Sequence, residues 1–381
     1  MIRMNRSFGP FCRVLLLLLA AALFPAGAAA HAAASSAGRA EDTAAQEIAE
    51  EEPDVKRIVL GHVGDSYEWH IATAGGREWS LPLPVIVHSP SSGWHCFSAK
   101  RLRGGAEYEG LRIAADGDHA GKIVERQADG SDLRPLDLSI TKTVAGLLLN
   151  SALVVALVLG AARWYRGRKP DAAAPRGVVG LFETLVESLV DDLIEPCVGP
   201  SYRRFAPYLL TVFCFIFLNN LMGLIPFFPG GANVTGNIAV ALVLAVATFL
   251  VVNLSGSRHY WKDIFWPDVP TWLKVPVPII PLIELVGVFT KPFALMIRLF
   301  ANILAGHAVI LSLTCVVFVT VKMGAAVNAS MTALSVLFSI FMNCLELLVA
   351  FLQAYVFTML SAVFIGLAQE RGGEADAGAE K

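Results

Sequence analysis

Apolar positions fall into two regimes along this chain: long unbroken runs over its C-terminal two thirds, and short alternating bursts before them. Residues 144–162, 209–228, 237–254, 275–321 and 334–367 are predominantly apolar. Each is near or above the ~20 residues that carry an α-helix across a bilayer. Together they predict about five transmembrane helices. The stretch 275–321 is more than twice the length of one upright crossing. Pro276, Pro278, Pro281 and Pro292 can bend its first half. Residues 322–328, with Gly324, supply a turn before the last run. The last two segments are therefore expected as long, tilted helices forming a hairpin. Residues 177–197 behave differently. Leu181, Phe182, Leu185, Leu189, Leu193 and Ile194 recur at helical spacing, with Glu183, Glu187, Asp191 and Asp192 between them. That pattern suits an amphipathic helix lying on the cytoplasmic membrane surface.

The N-terminal third reads otherwise. Arg3, Arg6 and Arg13 precede a short apolar run, then Pro25 and a small-residue stretch ending near Ala30. This is the pattern of a secretory signal peptide, assigned to residues 1–30. Residues 31–56, rich in Ala and Glu, are expected to form a disordered linker. From 57 to 137 apolar and polar residues alternate in short runs broken by Gly and Pro, for example 67–72, 79–87 and 111–114. Those runs predict a small β-rich extramembrane domain. Arg163, Arg166, Arg168 and Lys169 follow the first span, and Arg258, Lys262 and Lys274 follow the third. The positive-inside rule places both clusters in the cytoplasm and the mature N-terminus in the periplasm. The expected fold is an all-α polytopic membrane domain at 138–369 behind that β-rich domain. A cytoplasmic tail at 370–381 carries Glu370, Arg371 and Glu374.

Composition agrees with the membrane reading. Of 381 residues, 55% are hydrophobic and only 16% charged, against about 25% charged in soluble domains. Residues 205–257 contain no Lys, Arg, Asp or Glu. The six cysteines show no CxxC or Cys/His spacing and read as packing residues. His62, His70, His88, His95 and His119 lack recognisable ligand spacing and read as surface histidines, so no metal is expected. No phosphate-binding loop or nucleophile constellation occurs. The expectation is no catalysis by the chain alone, no cofactor and no nucleic-acid partner.

The few charges within the last two spans carry the functional signal. Glu284, Lys291 and Arg298 are seven residues apart, hence nearly on one helical face and about 10.5 Å apart along the axis. A charge at bilayer depth costs at least about 2.5–3.5 kcal/mol, so it normally faces a partner or water. Glu284 and Lys291, near the cytoplasmic end, suit an interfacial or mutually paired role equally well. Arg298 is followed by more than twenty largely apolar residues and is expected to be buried at membrane depth. In an antiparallel hairpin folded near residue 326, Arg298 comes opposite Gln353, and His307 comes opposite Glu346. Polar residues of two helices thus converge at two depths.

Several strings here resemble one family. They are Lys291-Pro292, Arg298-Leu299-Phe300-Ala301-Asn302, Ala305-Gly306-His307 and Leu352-Gln353-Ala354-Tyr355-Val356-Phe357. Asn219-Asn220-Leu221, Leu224-Ile225-Pro226 and Asn233-Val234-Thr235 belong with them. In order and spacing these are similar to subunit a of the F-type ATP synthases, in a bacterial form with an exported extension. The resemblance covers roughly residues 138–369. It implies a stator against which a ring of c subunits turns, in contact with lipid, the b subunits of the peripheral stalk and the remaining ATP synthase subunits. It implies that Arg298 is the essential arginine, with Asn302 one turn on and Gln353 as its partner. It also implies that His307, Glu346, Glu284, Lys291, Asn220 and Asn233 line the half-channels. His307 and Glu346 stand in exchanged order relative to some members, and Gly223 stands where some carry Asp. The competing reading from the residues alone is a secondary transporter or channel acting by itself. Such proteins usually carry internal repeats, and no second copy of the charged helix is found. A membrane scaffold without transport would leave the Arg–Gln and His–Glu alignment unexplained.

Overall fold

The computed structural model describes residues 65–74, 77–114, 119–126, 131–166, 175–225, 230–266 and 279–369. The expected signal peptide, linker and C-terminal tail lie outside the described residues. The chain divides into two units, one containing 51–152 with 222–234, the other containing 153–221 with 235–381.

Among its described residues the first unit holds eight strands: β1 (Glu68–Ala74), β2 (Arg77–Pro82), β3 (Pro84–Ser89), β4 (Gly93–Ser98), β5 (Leu111–Ile113), β6 (Ile123–Arg126), β7 (Asp132–Leu133) and β8 (Leu136–Asp137). They pair antiparallel as β1-β2, β4-β3-β8 and β5-β6-β7. The single run expected at 79–87 is split into β2 and β3, because Pro82 and Pro84 flank Leu83 and proline cannot donate to a ladder. A small core forms from Tyr67, Val85, Val87, Phe97, Leu102, Leu111 and Ile123. Tyr67 donates its hydroxyl to Asp137 at 2.5 Å, and burial with this bond drives its pKa up. Helix α1 (Lys142–Tyr165) starts within this unit: the Lys142 amide bonds Ser66 O at 2.8 Å, and the Thr143 amide bonds Asp65 Oδ1 at 3.0 Å. The segment 222–234 joins the same unit. Trp69 Nε1 donates to Gly230 O at 3.3 Å, and Gly146 lies so close to Ala232 that a Cβ there would sit 2.5 Å from the Ala232 methyl.

The second unit is helical. Helix α2 (Val178–Leu189) continues through one wide turn, Val190–Ile194, into Glu195–Val198. The Glu195 amide reaches back to Val190 O there, which spares the Pro196 ring a clash with the preceding turn. Then come α3 (Tyr202–Gly223), α4 (Ile238–Ser255), α5 (Arg258–Phe265), α6 (Ile279–Thr320) and α7 (Ala325–Gln369). Asn237 caps α4 through Ala239 N at 3.0 Å, and Ser257 caps α5 through Tyr260 N at 3.1 Å. Among the described residues, five segments are long and apolar enough to cross a membrane, one of them comprising α2 with α3. The amphipathic helix buries Leu189, Leu193, Ile194 and Val198 in the helical core and leaves Asp191 and Asp192 exposed.

Several boundaries differ from expectation. Helix α7 begins nine residues before the apolar run, because Ala325–Thr332 favours helix but has low hydropathy. The turn is correspondingly tight, one short turn at Val321–Met323 and Gly324 at φ 103°, a backbone state that suits glycine. Helix α3 likewise starts at Tyr202, its first turn carrying Arg203 and Arg204 outside the apolar stretch.

Helices α6 and α7 form an antiparallel hairpin. Near the turn Thr320 Oγ1 donates to Asn328 Oδ1 at 3.0 Å, and Ser335 Oγ donates to Leu313 O at 2.5 Å. Behind it α3 and α4 pack through Leu209, Phe213, Ile216, Ala241 and Ala245 against Leu295, Leu299, Ala354, Phe357 and Ile365. Lipid is as apolar as these side chains, so close packing and small residues at the seams do more here than removal from water. A buried hydroxyl relay ties three helices together: Tyr208 OH to Thr248 Oγ1 at 3.0 Å, and Thr248 to Ser361 at 3.5 Å.

Candidate functional site

The candidate residues occupy two sides of the hairpin. Glu284, Lys291, Arg298 and Asn302 lie on one exposed stripe of α6, as their spacing requires. Thr290, Ala294, Ala301 and Ala305 fill the same stripe and are all exposed. Arg298 therefore stands above small neighbours, with room for another helix to approach the guanidinium closely. This small-residue setting is a signal that charge spacing alone does not reveal.

Arg298 is not buried by its own chain, contrary to the expectation from its depth in an apolar run. Among the described residues it makes no hydrogen bond or ion pair. Gln353 is 7% exposed and turns into the bundle, so the arginine and the amide do not pair directly. The reason is rotational: the α7 face carrying Gln353, Ala354 and Phe357 packs on the core, whereas Arg298 lies on the exposed stripe of α6.

His307 and Glu346 do meet. Nδ1 of His307 and Oε1 of Glu346 are in direct contact across the hairpin, and the carboxylate side chain is 6% exposed. Gly306 makes room for it: a Cβ added there would lie 3.1 Å from Glu346 Oε1. Asn220 sits at 3% exposure on α3, donates Nδ2 to Ala350 O at 3.1 Å and accepts from Thr235 Oγ1 at 2.6 Å. It bridges α3 to α7 one turn from Gln353. Asn233 lies in the segment that belongs to the β-containing unit and is half-buried there.

An open groove of about 340 Å³ surrounds Arg298, lined by Gly287, Thr290, Lys291, Ala294, Leu360 and Phe364. Lys291 places its ammonium 5.5 Å from the Phe364 ring centre. Lys291, Leu295 and Phe364 also border a small, partly open cavity whose other polar lining residues are Thr248, Asn253 and Tyr260. Tyr260 OH donates to Asn253 Oδ1 at 3.4 Å. Burial first, and then the charge of Glu284, hold the Tyr260 phenol above its ordinary pKa. The sequence reading missed Thr248, Asn253 and Tyr260. Asn253 and Thr248 interrupt an otherwise apolar helix, which was the available signal.

In the β-containing unit His88 stacks edge-on with Trp94, and His95 contacts Glu109. The cysteines Cys96, Cys197, Cys214, Cys315 and Cys344 are free.

An exposed arginine on a stripe of small residues, in a helical unit whose long helices are apolar enough to cross a membrane, marks a polytopic membrane protein. Comparison with known proteins makes this specific. Residues 148–366 match the family described as ATP synthase A chain, and residues 58–138 match a family described as a domain of unknown function. A protein from Chlorobaculum tepidum named ATP synthase subunit a 2 is 46% identical over 61% of this chain and 64% of its own length. ATP synthase subunit a from Chlorobium phaeobacteroides is 44% identical over 63% of this chain and 68% of its own length. That of Anaeromyxobacter dehalogenans is 34% identical over 82% of this chain and 80% of its own length. The chain belongs to the ATP synthase A chain family, a non-catalytic, membrane-spanning subunit of the rotary complex.

Proposed function

We propose that this chain is the proton-conducting stator of the Fo motor and works against a ring of c subunits in a bacterial inner membrane. The observation that carries the mechanism is Arg298, exposed above small side chains with no partner among the described residues. Arg298 is half a site, and a carboxylate on a c-ring helix completes it. Helices α6 and α7 hold 42 and 45 residues, about 63 and 68 Å at 1.5 Å per residue. That is twice the ~30 Å hydrocarbon thickness, so the hairpin lies steeply tilted and presents its stripe along the curved ring.

A carboxylate arriving from lipid is neutral, because a bare charge there is too costly. Facing the guanidinium, its ionised form is favoured and the proton leaves through the Lys291–Glu284 end of the groove. Arg suits this role because it stays charged and can face a carboxylate bidentately. The fixed charge also repels protons, so the two half-channels stay separate. Lysine can lose its proton when desolvated and would seal less well. Asn302 orients the incoming carboxylate one turn along. Gln353, Asn220 and Asn233 supply polar groups on the other path, where His307 and Glu346 exchange protons near neutrality. Each proton crossing 100 mV releases about 2.3 kcal/mol, so several crossings are gathered by rotation.

The domain plan that accompanies this reading keeps 1–30 as an export signal, 31–56 as a linker, 57–137 as a periplasmic domain, 138–369 as the membrane domain and 370–381 as a cytoplasmic tail. The b subunits and the remaining subunits of the synthase hold the stator fixed. A stand-alone transporter is not favoured by the family match.

The test is Arg298→Ala and Arg298→Lys in the assembled synthase. Both are expected to abolish proton-driven ATP synthesis while the complex still assembles, since among the described residues the side chain makes no hydrogen bond or ion pair. Normal synthesis in Arg298→Ala membranes would overturn the proposal.

A further inference from the structure

The β4-β3-β8 sheet has an apolar outer face where a polar one is expected. An antiparallel sheet with one face on the core normally turns polar residues outward. Here the inner face carries Val85, Val87 and Phe97. The outer face carries His88 between Trp94 and Leu136, and Cys96 beside Ile86. The β8 edge extends beyond its two paired residues: Leu138 N bonds Ile86 O at 2.9 Å and Ile140 N bonds Pro84 O at 3.1 Å. Leu138 and Ile140 therefore continue the stripe begun by Leu136 at every second position. Trp94 is 63% exposed, Leu136 59% and Leu138 56%.

Two further observations say what covers this face. The first is continuity. Helix α1 begins at Lys142, two residues after Ile140, and its own exposed apolar residues Val144, Leu148 and Leu149 carry the stripe into the span. A sheet tied this closely to a membrane helix cannot lift its edge away from the bilayer surface. The second is charge. No Asp or Glu occupies an outward position on the three strands, and Asp137 points inward to Tyr67 and Ser139. Arg134, exposed two residues before Leu136, puts positive charge at the start of the stripe. Trp at the interface with a flanking cation fits phospholipid headgroups and the upper acyl chains.

We propose that the β4-β3-β8 face rests on the lipid surface from which α1 enters the membrane, with Trp94, Leu136 and Leu138 in the interface. The sheet thereby anchors the first span at a fixed depth. This rests on α1 crossing the bilayer and is independent of the proton path, so each can fail without the other.

The experiment places a nitroxide label at Leu136→Cys or Leu138→Cys, one at a time, with the native cysteines replaced by serine. The intact synthase is reconstituted in vesicles of equal parts phosphatidylethanolamine and phosphatidylglycerol. Oxygen, concentrated in lipid, should relax both labels more strongly than a water-soluble nickel chelate, and the order should reverse at Ser92→Cys in the exposed hairpin turn. As a measurement on the native sequence, lipids brominated near the headgroup should quench the emission that Trp94→Phe removes. Greater nickel than oxygen accessibility at 136 and 138 would mean a wet face and would overturn the proposal. Low accessibility to both reagents, with unquenched Trp94, would mean a protein cover and would overturn it equally.

Discussion

The contact between His307 and Glu346 can be tested by separating its charge from its shape. Glu346→Gln keeps the size and a hydrogen-bonding group but removes the charge. Hydrogen bonds to charged groups contribute about 1.5–3 kcal/mol, against about 0.5–1.5 for neutral ones. The change should therefore cost about 1–1.5 kcal/mol, and at about 1.4 kcal/mol per factor of ten it lowers proton flux up to about tenfold. His307→Ala removes the partner of a carboxylate that is only 6% exposed. Breaking a buried pair in that way costs about 3–5 kcal/mol, so this loss should be at least about a hundredfold. The exchange His307→Glu with Glu346→His restores one group of each kind across the same gap, which Gly306 leaves open. Its flux should exceed the product of the two single losses by a coupling energy of about 1–3 kcal/mol. The assay is passive proton flux through reconstituted Fo under a potassium diffusion potential, read by a pH-sensitive dye, with ATP synthesis alongside. Single and double changes that add within about 0.3–0.5 kcal/mol would show that the two residues do not act as a pair.

Other expectations concern packing and the β-containing unit. Gly366→Ala places a Cβ 2.0 Å from the Cys197 carbonyl, whereas a Cβ at Gly160 meets nothing within 4 Å. The first change should lower stability by about 1–3 kcal/mol and the second should not, as read from the thermal midpoint of the purified complex. Asn220→Leu leaves the Thr235 hydroxyl and the Ala350 carbonyl without this bridge, at a cost of about 1–3 kcal/mol in the same measurement; an unchanged midpoint would remove the bridge from the argument. Glu125 is held below its ordinary pKa of 4.5 by Ser89 and then Ser91. Glu68 is held below the same ordinary value by Arg103 first. A carboxyl depressed in the fold stabilises above its unfolded value, and that stability drains as pH falls through the folded value. Amide protection of β3 and β4 should therefore weaken below about pH 4.5. Glu125→Gln should flatten that dependence, and a slope unchanged by the substitution would count against it.

Much of the candidate site was legible because helical periodicity fixes which positions share a face. Seven-residue spacing alone set Glu284, Lys291 and Arg298 in a line, and antiparallel pairing set His307 opposite Glu346. The Arg298–Gln353 contact failed although its register was equally good. Register fixes depth along a hairpin, but the rotation of each helix fixes direction, and core packing of Ala354 and Phe357 turned Gln353 inward. Thr248, Asn253 and Tyr260 were missed because they come from α4 and α5, and only the folded bundle brings them to Lys291.

The sequence by itself determined the membrane class, the existence of the long helices and the family, because hydropathy and motif spacing are local properties of the chain. It also marked Arg298 as costly to place at bilayer depth. Tertiary structure decided the rest. It closed the hairpin between Thr320, at the end of α6, and Asn328, in the first turn of α7, through a side-chain hydrogen bond. It joined segment 222–234 to the β-containing unit through Trp69 and Gly230, a pairing no local pattern encodes. It also left Arg298 on an open stripe of small residues, because burial depends on what packs against a helix, and the described residues leave that stripe exposed.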